Sequence, residues 1–204
     1  MTPLRFFVAR TLRNDPMLSA LSVRPAELAA ELSGKRVALV GNARSLSAQH
    51  HGPAIDQADL VARINRAPMP SSESHGTRTD WLALAVRMTA QDRARLNPGR
   101  ILWMSPKRKR LDWRTAHSPG FYLHPLEDYR ALRDELGSPP STGLMAIRLV
   151  LSSPVDRLTL YGFDFFASRS LSGSRSAARV PHDFAAEAAW VAARAESDPR
   201  LVVR

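Results

Sequence analysis

The sequence predicts a three-layer α/β/α sandwich built on a mainly parallel sheet. Short strand-like apolar runs alternate with helical stretches along the whole chain. Most of these runs are continuously apolar, as expected of parallel strands covered on both faces. Their order, strand then helix, is that of crossover-connected strands. Ligands of such sheets settle beyond the carboxyl ends of the strands, and the least ordinary residues of this chain fall there.

Strands are expected at 36–41 (RVALVG), 60–65 (LVARIN), 81–85 (WLALA), 100–104 (RILWM), 120–124 (GFYLH), 157–162 (RLTLYG) and 201–203 (LVV). Helical spacing of apolar residues marks 25–32, 90–96, 126–136, 141–151 and 184–195. Residues 1–34 read as an N-terminal helical segment and 35–204 as the α/β core of a single domain. Within the first part, "PLRFFVARTLR" is amphipathic and able to lie on a surface.

Composition narrows the function. A chain of 204 residues can bury a proper core. Zero cysteines exclude disulfides, thiolate zinc sites and thiol catalysis. No apolar run approaches the roughly 20 residues of a membrane span, and the opening stretch has neither the length nor the cleavage site of a signal peptide. A reducing cytoplasm is the expected setting, with peripheral contact at the inner membrane face. Twenty-nine Lys and Arg against nineteen Asp and Glu give a net charge of +10, which attracts anionic partners. The densest charge run, "PKRKRLDWR" at 106–114, is either a solvated loop after the fourth strand or a contact for anionic lipid or a phosphorylated acceptor.

The chemistry-bearing residues cluster at strand ends. In "ALVGNARSLS", Gly41 lets the backbone approach a ligand and Asn42 brings an amide donor and acceptor. Neither the dinucleotide G-x-G-x-x-G nor the P-loop pattern is present. "GPAIDQADLVARINRAP" delivers a second asparagine, Asn65, to the same edge, and "GTRTDWLAL" leads into the third strand. In "PPSTGLMAIRLVLSS", Ser141 and Thr142 open a helix with Gly143 just inside. Hydroxyls and backbone N–H groups at a helix start serve as a cap, an anion site or both. "RLTLYGFDFF" ends a strand at Tyr161, Gly162 and Phe163, and "VPHDFAAE" sets His182 ahead of an Ala-rich helix.

Taken together these stretches resemble the sialyltransferase family. "LVGN…GPAIDQADLVARINRAP…GTRT" resembles its large sialylmotif, "PSTGLMAIRLVLSSPVDRLTLYGFDF" its small one, and "HDFAAE" its very small one, in family order. The resemblance implies a Rossmann-like, variant GT-A glycosyltransferase. Its donor would be a CMP-activated acidic 2-keto sugar, either sialic acid or a Kdo-like sugar, and its acceptor a glycan or glycolipid hydroxyl. It implies that Asn42 and Asn65 contact the nucleotide phosphate and ribose, with Gly41 beside them. Ser141, Thr142 and Gly143 would meet the sugar carboxylate and ribose, Tyr161, Gly162 and Phe163 would lie near cytosine, and His182 would be the general base. Inverting displacement from a CMP-sugar involves a monophosphate leaving group, and no Asp-x-Asp metal motif occurs. No metal and no other cofactor is therefore expected.

The chain departs from the family in two places. The aromatic-flanked histidine motif between the Tyr-Gly-Phe strand and the base is not recognisable. "ASRSLSGSRSAARVP" stands there, and is either a solvated flexible loop or a lid in which Arg169, Arg175 or Arg179 meets the departing phosphate and Gly173 permits closure. The disulfide joining the large and small motifs is absent, which suits a cytoplasmic, bacterial-type member. Glu187, five residues after His182, is expected to support structure and not to react. Two other classes compete: a CMP-binding module of the same fold without turnover, and a nucleic-acid-binding protein. The second rests on charge alone, without stacking aromatics or a helix-turn-helix, so no nucleic-acid partner is expected.

Overall fold

The computed structural model describes residues 1–165, 171 and 182–204. Its centre is a seven-stranded sheet of β1 (Arg36–Val40), β2 (Leu60–Ile64), β3 (Trp81–Leu84), β4 (Arg100–Trp103), β5 (Tyr122–Leu123), β6 (Arg157–Tyr161) and β7 (Leu201–Val203). The spatial order is β5-β4-β3-β2-β1-β6-β7 and every pairing is parallel. All seven expected strands are present, and the sheet is wholly parallel. The chain starts at the centre, steps outward to β5, then returns to lay β6 against the other side of β1. The strand order reverses between β1 and β6, and their carboxyl ends are the usual ligand position in such sheets.

Strand side chains alternate between two helical layers. Val37, Leu39, Leu60, Ala62, Trp81, Ala83, Leu102, Tyr122, Leu158 and Leu160 face one core. That core is closed by α3 (Pro25–Leu32), α8 (Leu126–Leu136), α9 (Thr142–Leu151) and α10 (Phe184–Ser197). On the other face, Leu82, Leu84, Ile101, Trp103 and Leu123 meet α1 (Pro3–Leu12), α2 (Asp15–Ser19), α6 (Ala90–Leu96) and α7 (Trp113–Ala116). Beside them Ala38, Val40, Val61 and Tyr161 pack on Leu46 and on Ile55 of α4 (Gly52–Asp56).

The helix starts are written in the sequence. Thr2, Thr89, Ser141 and Asp183 each accept a backbone N–H at the N-cap of α1, α6, α9 and α10. Gly137 closes α8 at φ 70°, where a side chain would be strained. Among the described residues no helix is long and apolar enough to cross a membrane.

Candidate active site at the sheet reversal

Three glycines let the chain pack closely at this edge. Gly41 donates to the Tyr161 carbonyl at 2.7 Å, so β1 and β6 stay paired to their very ends. A Cβ at Gly41 would run into the Gly162 carbonyl oxygen, and would sit 3.1 Å from the Phe163 ring. Gly162 itself has φ 67° and lies over Leu46. A Cβ at Gly143 would come within 2.8 Å of Phe163 Cε1. Phe163 therefore wedges between the β6 end and the start of α9, and only glycines leave it room. Asn42, nearly buried, follows Gly41 and donates its amide to the Ile64 carbonyl at 3.2 Å. It ties the end of β1 to the end of β2.

The N-terminus of α9 forms the next wall. Ser141 Oγ accepts the Leu144 N–H at 3.2 Å as N-cap. The same hydroxyl donates to Glu187 Oε2 at 2.7 Å, and the Ser141 N–H donates to Glu187 Oε1 at 2.6 Å. Ser141 is thus fully engaged by the protein. A helix start leaves the first N–H groups without intrahelical acceptors, so Thr142 and Gly143 are the positions whose backbone donors can serve a ligand. Glu187 is buried, and burial raises its carboxyl pKa. The two Ser141 hydrogen bonds pull in the other direction, as does His182 when protonated. Its expected supporting role takes a definite form here, as the carboxylate fixes the α9 terminus from 46 residues away.

His182 stands just ahead of Asp183, the N-cap of α10. Its Nδ1 lies 2.8 Å from the Pro139 carbonyl oxygen, two residues before the Ser141 cap. A carbonyl only accepts, so Nδ1 carries a proton, and in the neutral imidazole Nε2 then keeps its lone pair. A neutral imidazole with Nε2 available can take a proton from a hydroxyl.

The structure places the remaining expected residues as follows. Asn65 sits at the β2 end with φ 52°, and its Oδ1 accepts the Ala85 N–H at 2.9 Å. Its NH2 makes no hydrogen bond to the described residues and is the donor left for a ligand. Tyr161 does not line this edge. Strand alternation turns its ring into the cluster of Val40, Leu46 and Ile55, 5.2 Å from His51. Of the strand-end trio, Gly162 and Phe163 border the site. Arg169, Arg175, Arg179 and Gly173, the expected lid residues, lie outside the described residues. Among the described residues no three His, Asp or Glu side chains gather as a metal-ligand set.

Sequence reasoning passed over the scaffold beneath this edge. Arg63 of β2 is buried and donates to the carbonyls of Arg78 at 2.8 Å and His75 at 2.7 Å. Burial depresses its guanidinium pKa to about 10. Asp56 accepts the N–H groups of Thr77 and Arg78, and Arg78 in turn donates to the Asp56 carbonyl. "GPAIDQAD" and "GTRT" are thereby locked together behind the β2 end. Their only advance signal was a charged residue inside an apolar strand.

A parallel sheet with close-packed glycines at its reversal, amide groups at two strand ends, backbone donors at a helix start and a histidine beside them suits a nucleotide-using group-transfer enzyme. The model of glycosyltransferase family 29 (sialyltransferase) matches residues 8–118, more than half of the chain. The chain belongs to this family and is a CMP-sugar-dependent glycosyltransferase. A mammalian sialyltransferase crystallised with Gal-beta-1-3GalNAc-ortho-nitrophenol has a similar fold, with a TM-score of 0.68 and 19% identity over 98% of this chain and 84% of its own. A second structure of a mammalian sialyltransferase gives 0.67 and 19%, over the same shares. The sialyltransferase CstII from Campylobacter jejuni, in complex with CMP-3FNeuAc, shows 0.48 and 12% over 83% of this chain and 78% of its own. No curated protein matches the sequence.

Proposed function

We propose that this protein transfers an acidic 2-keto sugar, sialic acid or a Kdo-like sugar, from CMP to a glycan or glycolipid hydroxyl. His182 Nε2 accepts the proton of the acceptor hydroxyl while its oxygen attacks the anomeric carbon. The bond from that carbon to the CMP phosphate oxygen breaks, CMP leaves, and the configuration inverts. Asn42, Asn65 and the N–H groups of Thr142 and Gly143 hold the phosphate, ribose and sugar carboxylate. Phe163 and Gly162 border the cytosine. Neutral amide donors stabilise the departing monophosphate without a metal ion. The setting is cytoplasmic, with contact at an anionic membrane face and no nucleic-acid partner.

The observation that carries this reading is the 2.8 Å contact from His182 Nδ1 to Pro139 O. It holds His182 beside the α9 terminus, which supports a base acting through Nε2. Replacing His182 by Ala should abolish transfer while CMP still stabilises the protein against heat. General-base removal of this kind costs about 10²- to 10⁴-fold in rate. Undiminished transfer by the variant would overturn the assignment. A thermal-shift screen that responds to UDP-sugars or NAD and not to CMP would overturn the donor class.

A further inference from the structure

Helix α1 is anchored on one side and uncovered on the other. Phe6 and Ala9 are buried, and Phe6 packs edge-on against Trp113 at 5.3 Å. On the opposite side Leu4 and Leu12 are 74% and 72% exposed, and Phe7 and Val8 46% and 47%. At about 100° per residue, Phe7, Thr11, Leu4, Val8 and Leu12 share one arc of roughly 140°. Arg5 and Arg10 fall at its two borders. Residues 1–14 contain no acidic side chain.

The basic run lies against this helix. The 3₁₀ turn Arg108–Arg110 contacts α1, and Arg10 donates to the Leu111 carbonyl at 3.1 Å while its guanidinium stands 4.8 Å from the centre of the Phe7 ring. Arg108 is not a surface charge, because it is buried and paired with Asp15 at 2.6 Å. Lys107, Lys109, Arg110 and Arg114 are exposed, and exposed Arg87 donates to the Arg110 carbonyl. One face thus joins a broad apolar arc to a rim of free cations.

We propose that this face docks on an anionic lipid bilayer, with the outer side of α1 in the headgroup boundary and the cations of 107–114 against the headgroups. A polyanion would use the cations and leave four exposed apolar side chains unexplained. An apolar arc bordered by arginines is the pattern of an interfacial helix. The basic turn follows β4, so it shares the carboxyl edge of the sheet with Gly41, Asn42 and the α9 start. Docking therefore brings that edge to the membrane. Given the transfer reaction proposed above, on which this step rests, the acceptor is a lipid-linked glycan.

The test is co-sedimentation of the full chain with vesicles of phosphatidylcholine alone and of phosphatidylcholine mixed with phosphatidylglycerol. Binding is expected to the anionic vesicles only. Each surface cation contributes roughly fivefold, so Lys107→Ala, Lys109→Ala and Arg110→Ala together should weaken binding on the order of a hundredfold. Leu4→Gln with Leu12→Gln should weaken it tenfold or more. All variants should keep CMP stabilisation and transfer to a soluble acceptor, which reads the donor site separately from docking. Equal partition to neutral and anionic vesicles would overturn the proposal, as would binding unchanged in both variants. So would a native dimer dispersed by the leucine changes without any vesicle binding.

Discussion

The clamp from Glu187 to Ser141 gives the sharpest expectation. In Glu187→Ala, the Ser141 N–H loses its acceptor in a half-buried site, and the hydroxyl loses a charge-assisted bond. An orphaned buried donor costs about 1–3 kcal/mol, and a hydrogen bond to a charged group is worth about 1.5–3 kcal/mol. Relief of the burial that raises the Glu187 pKa offsets part of this. A net loss of about 2–4 kcal/mol is expected. In a chain of this size each kcal/mol moves Tm by about 2–4 °C, so the midpoint should fall by roughly 5–15 °C. Glu187→Gln keeps an acceptor for the N–H, and the Ser141 hydroxyl can accept from the new NH2. It should lose about half as much, since neutral bonds are about half as strong. Because α9 then starts less firmly, CMP affinity should drop alongside. Circular-dichroism melts and calorimetric titration with CMP read both quantities. If the Ala variant melts within about 2 °C of the native protein and binds CMP equally, the clamp does not hold the site.

Three further outcomes follow from the geometry. Gly41→Ala drives a Cβ into the Gly162 carbonyl and the Phe163 ring; overpacking at that level costs about 1–3 kcal/mol, and CMP stabilisation in a thermal-shift assay should vanish with it. Burial, with Arg108 and Arg148 nearby, depresses the His124 pKa from 6.5 to about 4. The unfolded chain therefore takes up this proton first, and stability present above pH 6.5 is lost as pH falls toward 4. The loss is up to about 3 kcal/mol at about 1.4 per pK unit, and denaturant titrations of His124→Asn should show a shallower acid decline than the native protein. Arg108→Met breaks a buried pair with Asp15 and the bonds to the Ser105 and His124 carbonyls. Such breakage costs about 3–5 kcal/mol, visible as a lower urea midpoint.

The strands were legible because a parallel sheet buried on both faces needs continuous apolar runs, and this chain supplies seven. The one-turn helices α2, α4, α7 and Ser72–His75 were not, because four or five residues hold too little periodicity to register. The close-packing glycines Gly41 and Gly143 and the N-cap Ser141 were legible as local structure, because glycine after a strand and a hydroxyl before a helix have familiar backbone roles. Tyr161 was misplaced by reading its stretch as a unit. Period-two alternation from Leu158 and Leu160 already sends its ring to the opposite face, and only the left-handed Gly162 turns the chain so that Phe163 comes back. Arg63 and Arg108 carry charge and read as surface, yet both are buried on backbone carbonyls. Those partners lie 12 to 16 residues away for His75, Arg78 and His124, in segments whose contacts no local pattern reveals.

A buried carboxylate beside the anion site proposed above is an apparent conflict. The geometry eases it by aiming both Glu187 oxygens at Ser141, so each oxygen accepts a hydrogen bond from the protein. What it leaves toward the sheet edge are the backbone donors of Thr142 and Gly143, held in place before the ligand arrives. Donors fixed in advance stabilise developing charge without reorganising. The same carboxylate lies within Coulomb reach of His182. On the reading proposed above, one acidic residue thus steadies the helix start that receives the anion.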